Sequence, residues 1–218
     1  MKPILLINPN SSAATTTMMV GIAAACAPGG VQVQGATATR GPAMITDGAA
    51  LAASVEEVIA IGTQAAPDVA GIIVGAFGDP GLAELRERLV VPVVGLCEAA
   101  MLEAASGGRR YGVATVTPQL VDAIDGRAAA LGLLERYAGI RLTAGDPRAL
   151  AAEPALLVER LADAVTACIE IDGARAVIIG GGPLGQAAVA LTPRFTTPII
   201  APIPAAMRQL LQMLGLTI

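Results

Sequence analysis

Two segments of this chain share one pattern, an apolar strand that runs directly into small residues and a tight turn. Residues 71–82 read GIIVGAFGDPGL, and residues 176–185 read AVIIGGGPLG. Their first residues, 71 and 176, lie 105 positions apart in a chain of 218 residues. Each half of the chain therefore supplies one such loop, which predicts a single active site between two similar lobes.

Two further pairs of segments extend this repeat in the same order. ILLINPN at 4–10 matches YGVATVT at 111–117 with an offset of 107 residues. VPVVGLCEAA at 91–100 matches TPIIAPIPAA at 197–206 with an offset of 106 residues. Any α/β protein contains apolar strands of this kind, but the shared order and the near-constant offset favour duplication.

Predicted strands and helices alternate along the whole chain. The strands are mostly continuous apolar runs, as expected for strands buried on both faces of a parallel sheet. The predicted helices include Gly48–Gln64, Pro118–Leu131 and Pro204–Leu214, and prolines 118 and 204 suit first helical turns. This alternation predicts an α/β fold with helices on both faces of each sheet.

The repeat defines two pseudo-symmetric lobes, each Rossmann-like or flavodoxin-like. We predict a first lobe from residues 1–103 plus about 204–218, and a second lobe from residues 104–203, which together form one functional unit. Ligands of open α/β sheets bind beyond the carboxyl ends of the strands. The strand ends of both lobes are therefore expected to surround one interlobe active-site cleft.

Composition excludes several classes of protein. Hydrophobic residues make up 54% and charged residues 15% of the chain, which excludes disorder. Two tyrosines, two phenylalanines and no tryptophan leave little for base stacking. The net charge of −4 also argues against nucleic acid or an anionic membrane surface as partner. We expect a small-molecule substrate and a homo-oligomer.

The N-terminal segment MKPILLINPNSS has only a short apolar stretch, which breaks at Asn8-Pro9-Asn10. It lacks the longer apolar region and the cleavage site of a signal peptide, and no run approaches the length of a membrane span. We therefore expect a cytoplasmic protein. Cys26, Cys97 and Cys168 form an odd set without CxxC spacing, which indicates reduced thiols.

The chain contains no histidine. Ser-His-Asp and Cys-His catalysis and the common zinc sites are therefore excluded, and we expect neither a metal nor a cofactor. Any acid–base step must use Asp, Glu, Cys, Lys, Tyr or water.

Polar and small residues follow the first, third, fifth and seventh predicted strands. Asn8, Asn10 and Ser11 open a helix, whose free N–H groups can bind a carboxylate, although these residue types are also common caps. Thr115 and Thr117 hold the matching positions in the second half, where a hydroxyl would face the same cleft, although threonine is also ordinary strand composition. The remaining candidates for substrate binding are Ala76, Phe77, Gly78, Gly180, Gly181 and Gly182.

The glycines of both loops allow a ligand to approach the backbone closely, and the second loop can supply N–H donors to an oxyanion. Neither loop matches a nucleotide-binding motif, and each is alternatively a permissive turn. Asp79 is a candidate proton-transfer residue or, as a structural role, the cap of the next helix.

Cys97 and Glu98 end the fourth predicted strand and are the other candidate catalytic residues. A thiol at a helix N-terminus can have a lowered pKa and act as a nucleophile. A free cysteine is also often a small buried apolar residue. Glu98 is a candidate general base, or alternatively a first-turn acid that favours the helix dipole.

Several of these segments together resemble the aspartate/glutamate/hydantoin racemase superfamily, most closely its hydantoin and allantoin racemase branch. The segments are INPNSS, GPAMI at 41–45, GAFGDPGL, VPVVGLCEAAM, YGVATVT and AVIIGGGPL. The resemblance covers nearly the whole chain. GDPGL after a strand, followed by PVVG-x-x-EAAM, is a fairly specific combination.

The resemblance implies a cofactor-independent isomerase with the substrate between two lobes. Members of the family use two cysteines on opposite faces of the substrate, one to remove a proton and one to return it. Ala76 and Gly181 stand at those two positions in this chain, and Ala201-Pro202 stands where relatives often have Asp-Gly. Neither Ala nor Gly can carry a proton, so the two-thiol reaction is not expected.

Two hypotheses follow. The first is an enzyme of this superfamily with altered chemistry on a small carboxylate, ureide or cyclic amide, possible reactions being those of a lyase, isomerase or hydrolase. Cys97, Glu98, Asp79 or a bound water would supply its proton chemistry. The second is a catalytically inactive binding protein that keeps the cleft. A third hypothesis is that the cysteines were removed by engineering, but alanine at 76 and glycine at 181 are unusual choices for that purpose.

Overall fold

The computed structural model describes residues 1–216, and these form two lobes that each contain a four-stranded parallel sheet. The elements of the first half are β1 Ile4–Asn8, α1 Ala13–Ala25, β2 Val33–Thr37, α2 Gly48–Ala53, α3 Val55–Ala65, β3 Gly71–Val74, α4 Leu82–Arg88, β4 Val93–Gly95 and α5 Leu96–Ala105. Those of the second half are β5 Tyr111–Thr115, α6 Val121–Ala130, β6 Tyr137–Leu142, α7 Pro147–Ala152, α8 Pro154–Glu170, β7 Ala176–Ile179, α9 Gly185–Leu191, β8 Ile199–Ile200 and α10 Pro202–Met213.

The two sheets have the same strand order. It is β2-β1-β3-β4 in the first lobe and β6-β5-β7-β8 in the second, with every neighbouring pair parallel. The strands of each repeated sequence pair therefore hold equivalent places. This confirms the predicted α/β class and the two lobes with parallel sheets. The central strands β1, β3, β5 and β7 are buried along their whole length, which explains their continuous apolar sequences.

One apolar core passes between the lobes. It contains Ile4 and Ile73 from the first sheet, Val113 and Ile178 from the second, and most of α5 and α10. Two smaller clusters cover the outer faces of the two sheets. Because the lobes share a core rather than a thin interface, they hold the strand ends of both sheets in a fixed relation.

The last helix of each half packs across the lobe boundary. Helix α5 follows β4 of the first sheet, yet it packs against β7, β5 and α6 of the second lobe. Helix α10 follows β8 of the second sheet and packs against α1, β3 and β4 of the first lobe, and the two helices contact each other. The predicted lobe bounds stay a prediction. Most of α5 lies before residue 104, in the predicted first lobe, but among the strands it contacts mainly those of the second sheet. Residues 217 and 218, with which we end the first lobe, lie outside the described residues.

Several predicted helices begin or end differently. The predicted helix Gly48–Gln64 divides at Ser54 into α2 and α3, and α10 begins at Pro202 rather than at Pro204. Pro118 opens a short 3-10 turn before α6 instead of the helix itself. Helix α7 was missed because it is a six-residue helix, capped by the carboxylate of Asp146.

Within residues 1–216, none of the helices combines the length and the apolar character that crossing a membrane requires.

Candidate functional site

A cavity lies where the carboxyl ends of β1, β3, β5 and β7 meet, as predicted for the interlobe cleft. Its lining from the first lobe is Asn8, Pro9, Asn10, Met44, Ile45, Leu51, Gly75, Ala76 and Phe77. Its lining from the second lobe is Val116, Thr117, Leu120, Ile124, Gly180, Gly181, Gly182, Pro183 and Leu184. Both glycine-containing loops of the repeat therefore form part of one cavity.

The two loops approach each other so closely that their glycines leave no room for a side chain. A Cβ atom on Gly182 would lie 2.6 Å from the carbonyl oxygen of Gly75, in the opposite loop. A Cβ atom on Gly180 would lie 3.0 Å from the ring of Phe77 and 2.7 Å from Val113. Glycine at position 182 is thus favoured by the contact between the lobes, and glycine at position 180 by contacts in both lobes.

The cavity is small. It offers about 50 Å³ to the centres of water molecules, and since one water needs about 10–15 Å³ on this measure, it accepts a few waters or one small molecule.

Asn8 and Asn10 form one hydrogen-bonded unit at the end of β1. The Asn8 amide nitrogen donates to Asn10 Oδ1 at 2.8 Å and to Thr16 Oγ1 at 3.0 Å. The N–H of Asn10 donates to Asn8 Oδ1, and that of Ser12 donates to Asn10 Oδ1. Because a backbone N–H can only donate, these contacts fix which amide atom is oxygen. Asn8 is fully engaged, so its role is to orient Asn10.

The Asn10 amide nitrogen has no hydrogen-bond partner among the described residues. It lines the cavity, where it is a free donor for a ligand. The backbone N–H groups of Ala76, Phe77 and Gly182 likewise make no hydrogen bond within residues 1–216. Because all of these residues line the cavity, their unpaired groups are candidate donors, from both lobes, to a carbonyl or carboxylate oxygen.

A loop between β2 and α2 covers the cavity with Met44 and Ile45. Ser11 holds this loop, since its N–H donates to Pro42 and its hydroxyl to Gly41. The carboxylate of Glu57 accepts hydrogen bonds from Thr39 and Arg40 at the other side of the loop, and these bonds lower the pKa of Glu57. Ser11 therefore supports the cover of the cavity and is not part of its lining.

None of the lining side chains is charged or carries a thiol. The polar side chains of the lining are Asn8, Asn10 and Thr117, and none of these exchanges a proton near neutral pH. No group of three or more Cys, Asp or Glu side chains within residues 1–216 is arranged to hold a metal ion.

The acidic candidates lie instead in an interlobe ion-pair cluster, by which we mean the buried carboxylates of Asp79 and Glu98 together with Arg86 and Arg127. Glu98 pairs with Arg86 at 2.7 Å and with Arg127 at 3.1 Å. Arg127, on α6 of the second lobe, also lies 3.4 Å from Asp79. Glu98 is thus held between two arginines.

Asp79 caps a helix, but not the one that follows it. Its two carboxylate oxygens accept the N–H groups of Cys97 and Glu98, each at 2.8 Å, and these groups begin α5 rather than α4. Burial raises the pKa of Asp79 to about 6, against the lowering effect of the N–H donors and of Arg127.

Cys97 is fully buried beneath this cap. Its sulfur lies 4.0 Å from the sulfur of Met101, and burial raises the pKa of the thiol well above its ordinary value, which opposes thiolate chemistry. The structure therefore brings none of Cys97, Glu98 and Asp79 into the lining of the cavity.

The other sequence candidates divide in two. Asn8, Asn10, Ala76, Phe77, Gly180, Gly181 and Gly182 line the cavity, whereas Ser11, Gly78 and Thr115 do not. Thr115 is buried and donates to the carbonyl of Gly180, so it fixes the second loop from behind. Of the two threonines expected to face the cleft, Thr117 lines the cavity, as its pairing with Asn10 by the offset of 107 predicted, whereas Thr115 does not.

Comparison with known proteins identifies the family. The model of the family described as Asp/Glu/Hydantoin racemase matches residues 4–210. The chain belongs to this family. It is 30% identical over 213 residues to a hydantoin racemase of Rhizobium meliloti, a match that covers 97% of this chain and 88% of that protein. A hydantoin racemase of Paenarthrobacter aurescens is 28% identical over 209 residues, covering 94% and 88%.

A solved structure extends the comparison to the fold. The allantoin racemase from Klebsiella pneumoniae superimposes with a TM-score of 0.91 at 27% identity, covering 100% of this chain and 90% of that one. The two-lobed arrangement of this racemase-family chain is therefore that of a solved allantoin racemase.

Proposed function

We propose that this chain binds a small, uncharged cyclic amide or ureide in the cavity between its lobes and does not racemise it through thiols. One observation carries the proposal. The lining combines free N–H and amide donors with no side chain that exchanges a proton near neutral pH. Binding groups are thus retained where proton-transfer groups are absent.

The absence of charge in the lining favours an uncharged ligand. A buried carboxylate or ammonium group without a partner is costly, and no arginine or lysine lines the cavity. A hydantoin ring or a ureide offers carbonyl oxygens to Asn10 and to the N–H groups of Ala76, Phe77 and Gly182. It offers N–H groups to the hydroxyl of Thr117. The names of the relatives, hydantoin and allantoin racemases, support the same ligand class.

The positions of Ala76 and Gly181 support binding without racemisation. The family resemblance assigns its two cysteines to these positions, and both residues line the cavity from different lobes. Loss of one positioned acid–base group typically reduces a rate by about 10²–10⁴-fold, and here both are replaced.

A second candidate function is a lyase, which the free donors favour. Loss of carbon dioxide from a malonate leaves the electron pair of the broken bond on an enolate, which N–H donors stabilise. Water then returns the proton, so no side-chain base is required. We rank this reaction second because its substrate is charged and the lining is not.

A ligand panel with thermal unfolding tests the proposal. A ligand at one hundred times its Kd stabilises the folded state by about 2.7 kcal/mol, which for a chain of this size raises Tm by roughly 5–10 °C. We expect this rise with hydantoin or allantoin and not with aspartate or glutamate. N10D, which replaces the free donor by an acceptor, removes the rise, and E103Q, a carboxylate-to-amide change on α5 outside the lining of the cavity, retains it.

The opposite ranking, with aspartate or glutamate stabilising the chain and the cyclic amides inert, would contradict an uncharged ligand. Release of carbon dioxide from a malonate in proportion to protein concentration would establish the lyase instead.

A further inference from the structure

The interlobe ion-pair cluster is linked to the cavity through a single short loop. Phe77 lines the cavity, and Asp79, two residues later, has a fully buried side chain in the cluster. The N–H of Asp79 donates to the carbonyl of Ala76 at 3.1 Å. A contact that fixes the position of the Asp79 carboxylate therefore also restricts the positions of Ala76 and Phe77.

Asp79 adopts a backbone conformation that a non-glycine residue rarely takes. Its φ is +54°, the only positive φ of a non-glycine residue within residues 1–216. Such a conformation persists when surrounding contacts stabilise it. Here those contacts are the two N–H donors of α5 and the Arg127 guanidinium.

Elements of both lobes close around this one carboxylate. Cys97 and Glu98 donate from α5, and Arg127 approaches from α6 of the second lobe. Gly95, at the end of β4, lies so close that a Cβ atom there would overlap the carboxylate. The site is therefore shaped to hold a carboxylate in one position.

We propose that Asp79 is a positioning residue for the cavity, whose charged carboxylate holds the wall formed by Ala76 and Phe77 against the second lobe, so that loss of this charge weakens ligand binding. This inference rests on the proposed function, because it concerns regulation of the same site. Asp79 touches neither the cavity nor a bound ligand, and it acts through the position of the loop.

The charge of Asp79 changes within a pH range in which proteins are normally handled. The groups that face it are the Cys97 thiol and Glu98 on α5 and Arg127 on α6, while Arg86 on α4 reaches it only through Glu98. Burial raises the pKa of Asp79 to about 6. The side chain is therefore mainly charged at pH 7 and mainly neutral at pH 5. In the neutral form one of the two oxygens carries a proton, so fewer acceptors remain for the N–H groups of α5.

Calorimetric titration with hydantoin and with allantoin between pH 5 and pH 8 tests the proposal. We expect Kd to rise by about five- to tenfold from pH 7 to pH 5, a coupling of ordinary size between two sites. D79N is expected to bind weakly at every pH without a step. E103Q breaks the Arg208–Glu103 pair, which joins α10 to α5 outside the lining of the cavity, and is expected to retain the step.

R127M separates positioning from a merely structural role. Arg127 lowers the pKa of Asp79, so its removal should move the midpoint of the step to higher pH as well as weaken binding. A general loss of stability would weaken binding without moving the midpoint. R127M also serves as the test if D79N does not fold.

Hydrogen exchange provides a readout that needs no ligand. In the parent chain, protection of the N–H groups of Cys97 and Glu98, measured relative to the other N–H groups of α5 because overall stability falls over the same range, should rise through about pH 6, and this relative rise should be absent in D79N and in G95A. A parent without this step, or a D79N variant that keeps it, overturns the proposal. If neither hydantoin nor allantoin binds, the proposed ligand class fails while hydrogen exchange still decides the role of Asp79.

Discussion

The cavity and the interlobe ion-pair cluster lie at the two ends of one loop, and they divide the chemistry of the chain between them. The cavity contains polar donors but no side chain able to transfer a proton. The cluster contains two carboxylates and lies over a thiol, but all three groups are buried and lie outside the lining of the cavity. In this chain, therefore, an acidic residue or a cysteine near a strand end is not by itself evidence of catalysis, since such a residue can also cap a helix or join the lobes.

The largest effect is expected from introducing proton-transfer groups into the cavity with A76C and G181C together. Ala76 already carries a Cβ atom, and Gly181 has an extended backbone with a φ of 165°. The atoms nearest to a Cβ added at this position belong to the flexible side chain of Leu184, at 3.0 Å. We expect α-proton exchange of a 5-substituted hydantoin to rise at least about 10²-fold over the parent.

The single variant A76C is the control for that experiment. It supplies one thiol on one face of the ligand, so exchange should rise while inversion stays slow. If the double variant gains no exchange although it still binds the hydantoin, Ala76 and Gly181 do not face a ligand as we propose.

The charged cluster should be visible in the pH dependence of stability. The pKa of Asp79 is raised from 3.8 to about 6 in the folded state, so its contribution to stability is complete below pH 3.8 and is lost as pH rises through about 6. The difference in unfolding free energy between parent and D79N should fall by roughly 3 kcal/mol across this range. Urea denaturation at several pH values measures it.

Stability and ligand binding should therefore respond to pH in opposite directions, because burial disfavours the charge that positions the loop. A difference between parent and D79N that stays constant with pH would show that Asp79 does not titrate in this range.

The contact between the two loops is tested by G182A. The added methyl group meets the carbonyl oxygen of Gly75 at 2.6 Å and the sulfur of Met19 at 3.0 Å, and overpacking of this kind typically costs about 1–3 kcal/mol. G126A is the matched control, because Gly126 lies inside α6 with nothing within 4 Å of an added Cβ. Its removal of a helical glycine should stabilise the chain by up to about 1 kcal/mol. Equal effects of the two substitutions on Tm would contradict the close contact of the lobes.

A smaller effect on stability is expected from E57Q, because Glu57 lies outside the cavity and supports the loop that covers it. E57Q loses the charge that accepts the N–H groups of Thr39 and Arg40, which anchor the covering loop. Hydrogen bonds to a charged group contribute about 1.5–3 kcal/mol, and part of this remains with glutamine, so a loss of about 1 kcal/mol is expected in urea denaturation. Because hydrogen bonds lower the pKa of Glu57, this contribution should disappear as pH falls, the opposite sign to Asp79.

Substitution of Cys97 should have the smallest effect of all on ligand binding. Its thiol is fully buried and has a raised pKa, so iodoacetamide should modify it only after unfolding. C97A should leave the affinity for hydantoin within about twofold, since Cys97 does not line the cavity. Rapid labelling of Cys97 that the ligand prevents would return this thiol to the list of catalytic candidates.

The fold was predictable from the sequence because it rests on patterns that repeat. The apolar strands and their matching offsets of 105–107 residues predicted two equivalent sheets, and the structure confirms their shared strand order. The strand ends likewise predicted the position of the cavity. The same reasoning predicted that Asn10, Ala76 and Gly181 lie at this cavity.

The partners of individual side chains were not predictable, because they depend on contacts between distant segments. Asp79 and the N–H groups that it accepts are 18 and 19 residues apart, and Arg127 comes from the other lobe. From sequence spacing alone, Cys97, Glu98 and Asp79 were as good candidates for the site as the residues that line the cavity. The covering residues Met44 and Ile45 belong to GPAMI, one of the segments that carry the family resemblance, but their place over the cavity was not predictable because it depends on how a long loop folds back.

The most direct test of the account is deuterium incorporation into a 5-substituted hydantoin, followed in heavy water with the unmodified chain. The hydantoin should be bound, as judged by its effect on Tm, while deuterium enters the α position no faster than without protein. Incorporation in proportion to protein concentration, at a rate abolished by N10D, would show that the cavity transfers protons and would contradict the central claim.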